Sequence, residues 1–151
     1  MITIVEGNIL DAKEDIICHQ VNCIGIMGGG LALQIRKKYP EVYDSYQKYI
    51  LGAGTNQLLG EVQTVLCHDG KVIANLFGQN GIGTKQIQTD YEALATSLAG
   101  ILCIAKMVGN DTIAIPYEIG CGLGGGDWNI VYKIIEDVFV DYDVTIYKFN
   151  Q

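Results

Sequence analysis

Short runs of β-branched and aliphatic residues alternate along this chain with stretches whose apolar positions recur every three to four residues. The first pattern marks buried strands, the second amphipathic helices. Strands are predicted over residues 2–5, closed by Gly7-Asn8, and over 16–21. The sequence LALQIRKKY then sets Leu31, Ile35 and Tyr39 on one helical face, and Pro40 ends it. Residues 41–51 read as a second helix, stopped by Gly52. Residues 62–66 and 72–77 form a strand pair joined through Asp69-Gly70. Thr89 and Glu92 make a capping-box pattern for a helix running to about Met107, with Leu94, Leu98, Ile101, Leu102 and Ala105 as its buried stripe. A strand over 112–116 follows, then a helix over 128–140 with Val131, Ile134, Ile135, Val138 and Phe139 turned inward, then a strand over 144–147.

This alternation predicts an α/β protein of three layers, with helices on both faces of a largely parallel sheet. In such a sheet the binding crevice lies beyond the carboxyl ends of the strands. Two glycine-rich turns stand at that edge, VNCIGIMGGGLALQ and IPYEIGCGLGGGDW, each leaving a strand and entering a helix. Glycine lets a ligand approach the backbone closely, and helix N-termini offer unpaired N–H groups with a partial positive charge. Two such turns facing each other can grip both phosphates of a diphosphate without a lysine. Neither matches a Walker loop or a complete dinucleotide fingerprint.

Composition narrows the ligand. The formal net charge is −7, whereas a face that binds nucleic acid carries clustered lysine and arginine. No sequence-specific nucleic-acid binding is expected, and Arg36, Lys37 and Lys38 read as complementing a helix C-terminus. A small anion held by backbone amides suits an acidic chain. Cys18, Cys23, Cys67, Cys103 and Cys121 show no CxxC pairing and predict reduced thiols in a cytoplasmic protein. Ligand spacing for a metal is absent, with only His19 and His68 to assist, so neither a metal nor another cofactor is expected. No stretch is apolar enough to span a membrane, and residues 1–6 read as a strand rather than a signal peptide. The length and even composition predict one domain over residues 1–151.

The order of VEGNIL, IICHQVNCIGIMGGGLALQIRKKYP, ANLFGQNG and IPYEIGCGLGGGDW resembles the macrodomain family, the ADP-ribose-binding, Appr-1''-p-processing module. The resemblance covers essentially the whole chain. It is nearest to the branch of terminal ADP-ribose protein glycohydrolase, the DNA ADP-ribosyl glycohydrolase antitoxins and yeast ADP-ribose-1''-phosphate phosphatase. It implies an α/β/α fold around a central mixed, largely parallel sheet, with ADP-ribose in a cleft above it. Gly7, Asn8 and Ile9 would then meet the adenine, with the Asn8 carbonyl oxygen in place of the family's usual carboxylate. Asn22 would lie at the distal ribose. Met27, Gly28, Gly29, Gly30 and Leu31 would form the first phosphate loop, and Gly120, Cys121, Gly122, Leu123, Gly124 and Gly125 the second. Phe77, Gln79 and Asn80 would close over the distal ribose, and Tyr147 would lie against the adenine.

Glycohydrolases of that branch depend on a lysine just after the NF or NL strand end, and some on an aspartate in the second loop. Here Gln79 or Asn80 stands near the lysine's place, Lys85 follows later, and Gly124 occupies the aspartate's position. The remaining candidates are His19, an imidazole base three residues before Asn22, together with Asn22 itself and Asp127. Strand alternation sets His19 and Val21 on one face and Gln20 and Asn22 on the other. Asp127 reads first as a helix N-cap, and Cys121 as a small packing residue. The expected function is hydrolysis at the distal ribose of ADP-ribose-1''-phosphate, an O-acyl-ADP-ribose or an ADP-ribosylated macromolecule. The alternative is a non-catalytic reader or sponge of ADP-ribose or an NAD-derived signalling nucleotide.

Overall fold

The computed structural model describes residues 1–149. Six strands, β1 (Ile2–Glu6), β2 (Ile16–Asn22), β3 (Val62–Leu66), β4 (Val72–Gln79), β5 (Ile113–Pro116) and β6 (Val144–Lys148), form one sheet. Their order is β1-β6-β5-β2-β4-β3. Every neighbouring pair is parallel except the hairpin of β3 with β4, so the sheet is mixed and largely parallel. Four helices, α1 (Gly30–Lys38), α2 (Pro40–Ala53), α3 (Tyr91–Met107) and α4 (Trp128–Val138), cover its two faces.

The period of two along a strand divides the core. Ile16, Cys18, Ala74 and Leu76 pack with Leu94, Leu98 and Ile101 of α3 and with Val131 and Ile135 of α4. Ile17, Val21, Ile73 and Phe77 pack instead with Ile35, Tyr39, Val42 and Tyr46 beneath α1 and α2. Each such aliphatic side chain, fully buried, contributes about 1.5–3 kcal/mol. Among the described residues no helix is long and apolar enough to cross a membrane.

Several local expectations need correction, and one is the end of α2, which runs through Gly52 to Ala53. The cap of α3 is Asp90, whose carboxylate accepts from the Ala93 amide at 3.0 Å. Thr89 gives up that role because its hydroxyl donates to the Gly120 carbonyl at 2.6 Å. The last helix ends at Val138, not at residue 140. Pro40 both ends α1 and opens α2, where its fixed φ and missing N–H suit the first helical turn. The basic residues at the end of α1 are engaged locally: Arg36 lies over the Tyr43 ring, and Lys38 Nζ donates to the Leu10 carbonyl at 2.6 Å.

The feature that matters for function is the junction of β2 and β5. Their registered pairing is confined to Ile16 with Ile113 and Ile17 with Ala114. On its other side β2 stays paired with β4 as far as Asn22. Above residue 17 the two central strands therefore part. Their loops leave in opposite directions, as at a topological switch point.

Candidate functional site

The parted strands open a cleft of about 740 Å³, and both glycine turns line it. Gly28, Gly29, Gly30, Leu31 and Ala32 form one lip at the start of α1, and Gly120, Gly122, Leu123 and Gly124 form the other. His19, Gln20, Val21 and Asn22 make the floor. Gln79, Ile82, Gly83 and Thr84 close the end next to β4, and Pro116, Tyr117, Glu118 and Ile119 the end next to β5. The Leu123 side chain reaches across to Gly29, where an added Cβ would lie 3.1 Å from its Cδ1.

The second loop is fastened from behind by its carbonyls. The Gly120 oxygen accepts from the Thr89 hydroxyl and from the Gly126 amide at 2.9 Å. The Gly124 oxygen accepts from the Gln88 and Thr89 amides at 2.9 and 3.1 Å. Gln20 ties this to the sheet, donating from Nε2 to Gln79 Oε1 at 2.8 Å and to Thr89 Oγ1 at 2.9 Å. With the carbonyls drawn inward, the N–H groups of Gly122, Leu123 and Gly124 have no protein acceptor among the described residues. The N–H groups of Gly28, Gly29 and Gly30, opening α1, are in the same position. Two rows of free amides thus border one cleft.

The first loop is held by Asn22. Its Oδ1 accepts from the Ile24 and Ile26 amides, both at 3.1 Å, and from the Tyr46 hydroxyl at 2.8 Å. Its Nδ2 donates to the Ile26 carbonyl at 2.7 Å. The strict alternation expected along β2 fails here. Between Val21 and Asn22 the register with β4 slips by one residue, Phe77 pairing with Val21 and Gln79 with Asn22. That bulge brings Asn22 to Tyr46 of α2, on the layer that His19 also faces. Asn22 lines the cleft, but its carboxamide is largely spent on loop geometry.

His19 is 2% exposed. Its Nε2 lies 2.5 Å from Asn75 Oδ1. Asn75 Nδ2 donates to Gln63 Oε1 at 3.0 Å, and Gln63 Nε2 to the Ser45 carbonyl at 3.1 Å. This chain of amides presents Asn75 Oδ1 to the ring, so Nε2 carries the proton and Nδ1 a lone pair. Nδ1 is buried without a partner among the described residues. Desolvation, only partly opposed by the Asn75 bond, lowers the imidazole pKa to about 4. His19 is therefore neutral at physiological pH and can orient a water or hydroxyl only as an acceptor. Between pH 4 and the unfolded value near 6.5, the unfolded chain binds a proton that the native protein does not. Stability is accordingly lost as pH falls through that window. Urea unfolding at pH 7 and at pH 4.5 should show wild type losing about 2 kcal/mol more than His19→Gln. Identical losses would show that the imidazole titrates normally.

Other sequence-predicted residues lie elsewhere. Asp127 accepts from the Asn129 amide at 2.9 Å as the cap of α4, outside the cleft. Ile9, Met27 and Phe77 have core side chains that fill the layer beneath α1 and α2 and do not line the cleft. Asn8 caps the short 3-10 turn Ile9–Asp11, its Oδ1 accepting from Leu10 N at 3.0 Å. Tyr147 donates to Glu14 Oε1 at 2.5 Å and covers Gly7. Gly7, Asn8, Asn80, Gly125 and Tyr147 form no part of the cleft wall. Cys121 packs towards α3 and α4, and its thiol pKa is pushed up to about 11, chiefly by burial, then by Glu118 and Asp127, which is the opposite of a reactive thiolate. Lys85 is exposed and is not itself part of the cleft wall, which ends on this side at Thr84. Sequence reasoning missed Gln20, the wall at residues 82–84 and the Tyr117-Glu118 step. A signal existed for Gln20, since alternation sets it opposite His19. None existed for the others.

A sequence profile of the Macro domain family matches residues 18–135. The chain is 31% identical over 154 residues to a DNA ADP-ribosyl glycohydrolase of Mycobacterium tuberculosis, an alignment covering 97% of this chain and 42% of that protein. It is 30% identical to the human ADP-ribose glycohydrolase OARD1, over 97% of this chain and 90% of that one. Among solved structures, the macrodomain of Mycobacterium tuberculosis DarG superposes with a TM-score of 0.83 at 27% identity, covering 97% of both chains. The chain spans less than half the length of the first curated relatives it matches.

Proposed function

Because this chain belongs to the macro domain family, we propose that its cleft binds ADP-ribose and that the protein hydrolyses a bond at the distal ribose of an ADP-ribose derivative. The observation that carries this reading is the pair of free amide rows across a cleft whose walls include no lysine or arginine. A diphosphate held between them accepts hydrogen bonds from both lips, and the partial charge of the α1 N-terminus adds to one of them. The two rows act as phosphate-binding loops. The distal ribose lies towards Gln79 and Ile82, and binding energy from the remote adenosine positions a water at the 1'' carbon or its neighbour.

His19, on the floor of the cleft, is the residue that positions this water. Asn22 serves by holding the first lip in place. Substrates of the right chemistry are ADP-ribose-1''-phosphate, O-acyl-ADP-ribose and ADP-ribosylated protein or DNA. A cytoplasmic site of action suits the five free thiols.

A second reading, a non-catalytic reader of ADP-ribose, is favoured by one observation. The end of the cleft beside β4 presents no carboxylate or ammonium, and both ends of the Gln79 carboxamide are bonded, to Gln20 and to the Gly81 carbonyl. Calorimetric titration with ADP-ribose tests what both readings share, and saturable binding is expected. The absence of heat at about 1 mM ligand, the scale of very weak binding, would overturn both. Incubation with ADP-ribose-1''-phosphate, O-acetyl-ADP-ribose and ADP-ribosylated protein and DNA then separates them. Release of phosphate, acetate or free ADP-ribose establishes the hydrolase, and binding without turnover the reader.

A further inference from the structure

Among the residues lining the cleft, Glu118 is the one charged side chain, and its backbone is strained. Its φ is +60°, in the left-handed region that side chains bearing a Cβ rarely adopt. The other non-glycine residue with positive φ is Asn110, beyond the end of α3, and asparagine tolerates that conformation. Elsewhere in the second loop positive φ falls on glycine, at Gly120 and Gly125. Position 118 would be unstrained as glycine, yet it carries a carboxylate. Strain kept at a ligand cleft is where a side chain with a task is to be sought.

The segment around Glu118 is held firmly. The Tyr117 amide donates to the Tyr147 carbonyl at 2.9 Å, and the Cys121 amide to the Glu118 carbonyl at 2.9 Å. The Tyr117 ring packs on Trp128 at 4.9 Å between centroids, and Lys148 Nζ lies 4.7 Å from the Tyr117 centroid. The Glu118 carboxylate itself is exposed and makes no hydrogen bond or ion pair among the described residues. It stands beside β5, across the floor from Gln79.

A carboxylate repels phosphate and accepts from hydroxyls, so it must face a neutral part of the ligand rich in O–H donors. With the diphosphate between the lips and the distal ribose towards Gln79, the part beside β5 is the adenosine. Its ribose offers two adjacent hydroxyls that one carboxylate can accept together, the pairing by which an acidic residue selects an unphosphorylated ribose in dinucleotide sites. We propose that Glu118 accepts hydrogen bonds from the 2'- and 3'-hydroxyls of the adenosine ribose and so selects ADP-ribose against its 2'-phosphorylated counterpart. This rests on the reading of the cleft as an ADP-ribose site.

The test is calorimetry of wild type, Glu118→Gln and Glu118→Gly with ADP-ribose and with ADP-ribose 2'-phosphate, each protein also being melted without ligand. Wild type should prefer ADP-ribose by at least about tenfold, as expected when a charge-assisted pair is replaced by like-charge repulsion. In Glu118→Gln, which keeps the side-chain length and the backbone strain, that preference should shrink to about threefold or less. Glu118→Gly should bind ADP-ribose about tenfold more weakly while melting about 2 °C above wild type, because the strain is gone. Loss of affinity with a raised melting point cannot come from misfolding. If wild type binds ADP-ribose but shows no preference, or if both variants keep wild-type affinity and preference, the role of Glu118 is overturned and the site reading stands. If wild type binds neither compound, both fall.

Discussion

Replacement of Gly124 by alanine is expected to raise the Kd for ADP-ribose by ~100-fold or more, equivalent to ~3 kcal/mol, and to destabilise the free protein by ~2 kcal/mol. The reason is space. A Cβ on Gly124 would lie 2.5 Å from Thr89 Oγ1, 2.8 Å from the Gly120 carbonyl oxygen and 3.1 Å from Gln20 Nε2. None of the three can retreat cheaply. Thr89 is bonded to Gly120, Gln20 is bonded to Thr89 and Gln79, and the Gly120 oxygen also accepts from the Gly126 amide. The loop itself would have to lift, breaking the bonds from Gln88 and Thr89 to the Gly124 carbonyl and misplacing the amides that face the cleft. Gly122→Ala is the matched control, since a Cβ there meets nothing within 4 Å. It should melt as wild type does. Calorimetry and thermal melts of the two variants check the contrast, and equal affinities for Gly124→Ala and wild type would show that the loop is not anchored this way. The same packing bars a simple Gly124→Asp substitution. An aspartate would need smaller or differently placed partners at positions 20 and 89.

Asn22→Ala should cost ~3 kcal/mol of stability in the absence of any ligand. Four hydrogen bonds disappear with the carboxamide, leaving the Ile24 and Ile26 amides, the Ile26 carbonyl and part of the bonding of a buried Tyr46 hydroxyl to find water. Tyr46 keeps its bond to the Asn22 main-chain oxygen, so the loss falls on the loop more than on the core. A residue that only touched a ribose would weaken binding and leave the melting point unchanged. A residue that holds the lip lowers both, and Asn22→Ala is expected to lower both. Chemical denaturation of the free protein, read beside ADP-ribose titration, distinguishes the two roles. An unchanged unfolding free energy would return Asn22 to direct ligand contact.

What the chain disclosed in advance follows from which forces are periodic. Burial repeats every two residues along β2 and β4 and every three to four along α3, so strands, helices and layers were legible from Ile16, Leu76, Leu94 and Leu98 alone. Caps are decided by competition instead. Thr89 and Asp90 both suit a helix start, and only the presence of the Gly120 carbonyl assigns the hydroxyl of one and the carboxylate of the other. The slip between Val21 and Asn22 depends on Gly78, the β4 residue passed over in the pairing, and it turns Asn22 towards Tyr46 against the expected alternation. Glycine within a strand is a hint of a bulge, though not of its effect on the neighbouring strand. Glu118 was the least legible of all. A glutamate is a poor guess for a left-handed backbone, so nothing in the sequence marks its geometry.

The parting of β2 and β5 bears on how wide the cleft can be. Two rungs, Ile16 with Ile113 and Ile17 with Ala114, are where the halves of the sheet meet, and all four side chains are sealed in the core. They act as a fulcrum. One jaw is an extension of β2 with β4 and β3, the other of β5 with β6 and β1, so the gap at the lips is a lever arm multiplied by a small angle at the base. Core residues that no ligand ever touches thus set the bite of the clamp. A methylene gained or lost beneath residue 17 is expected to change the spacing of the lips as well as the packing of the core.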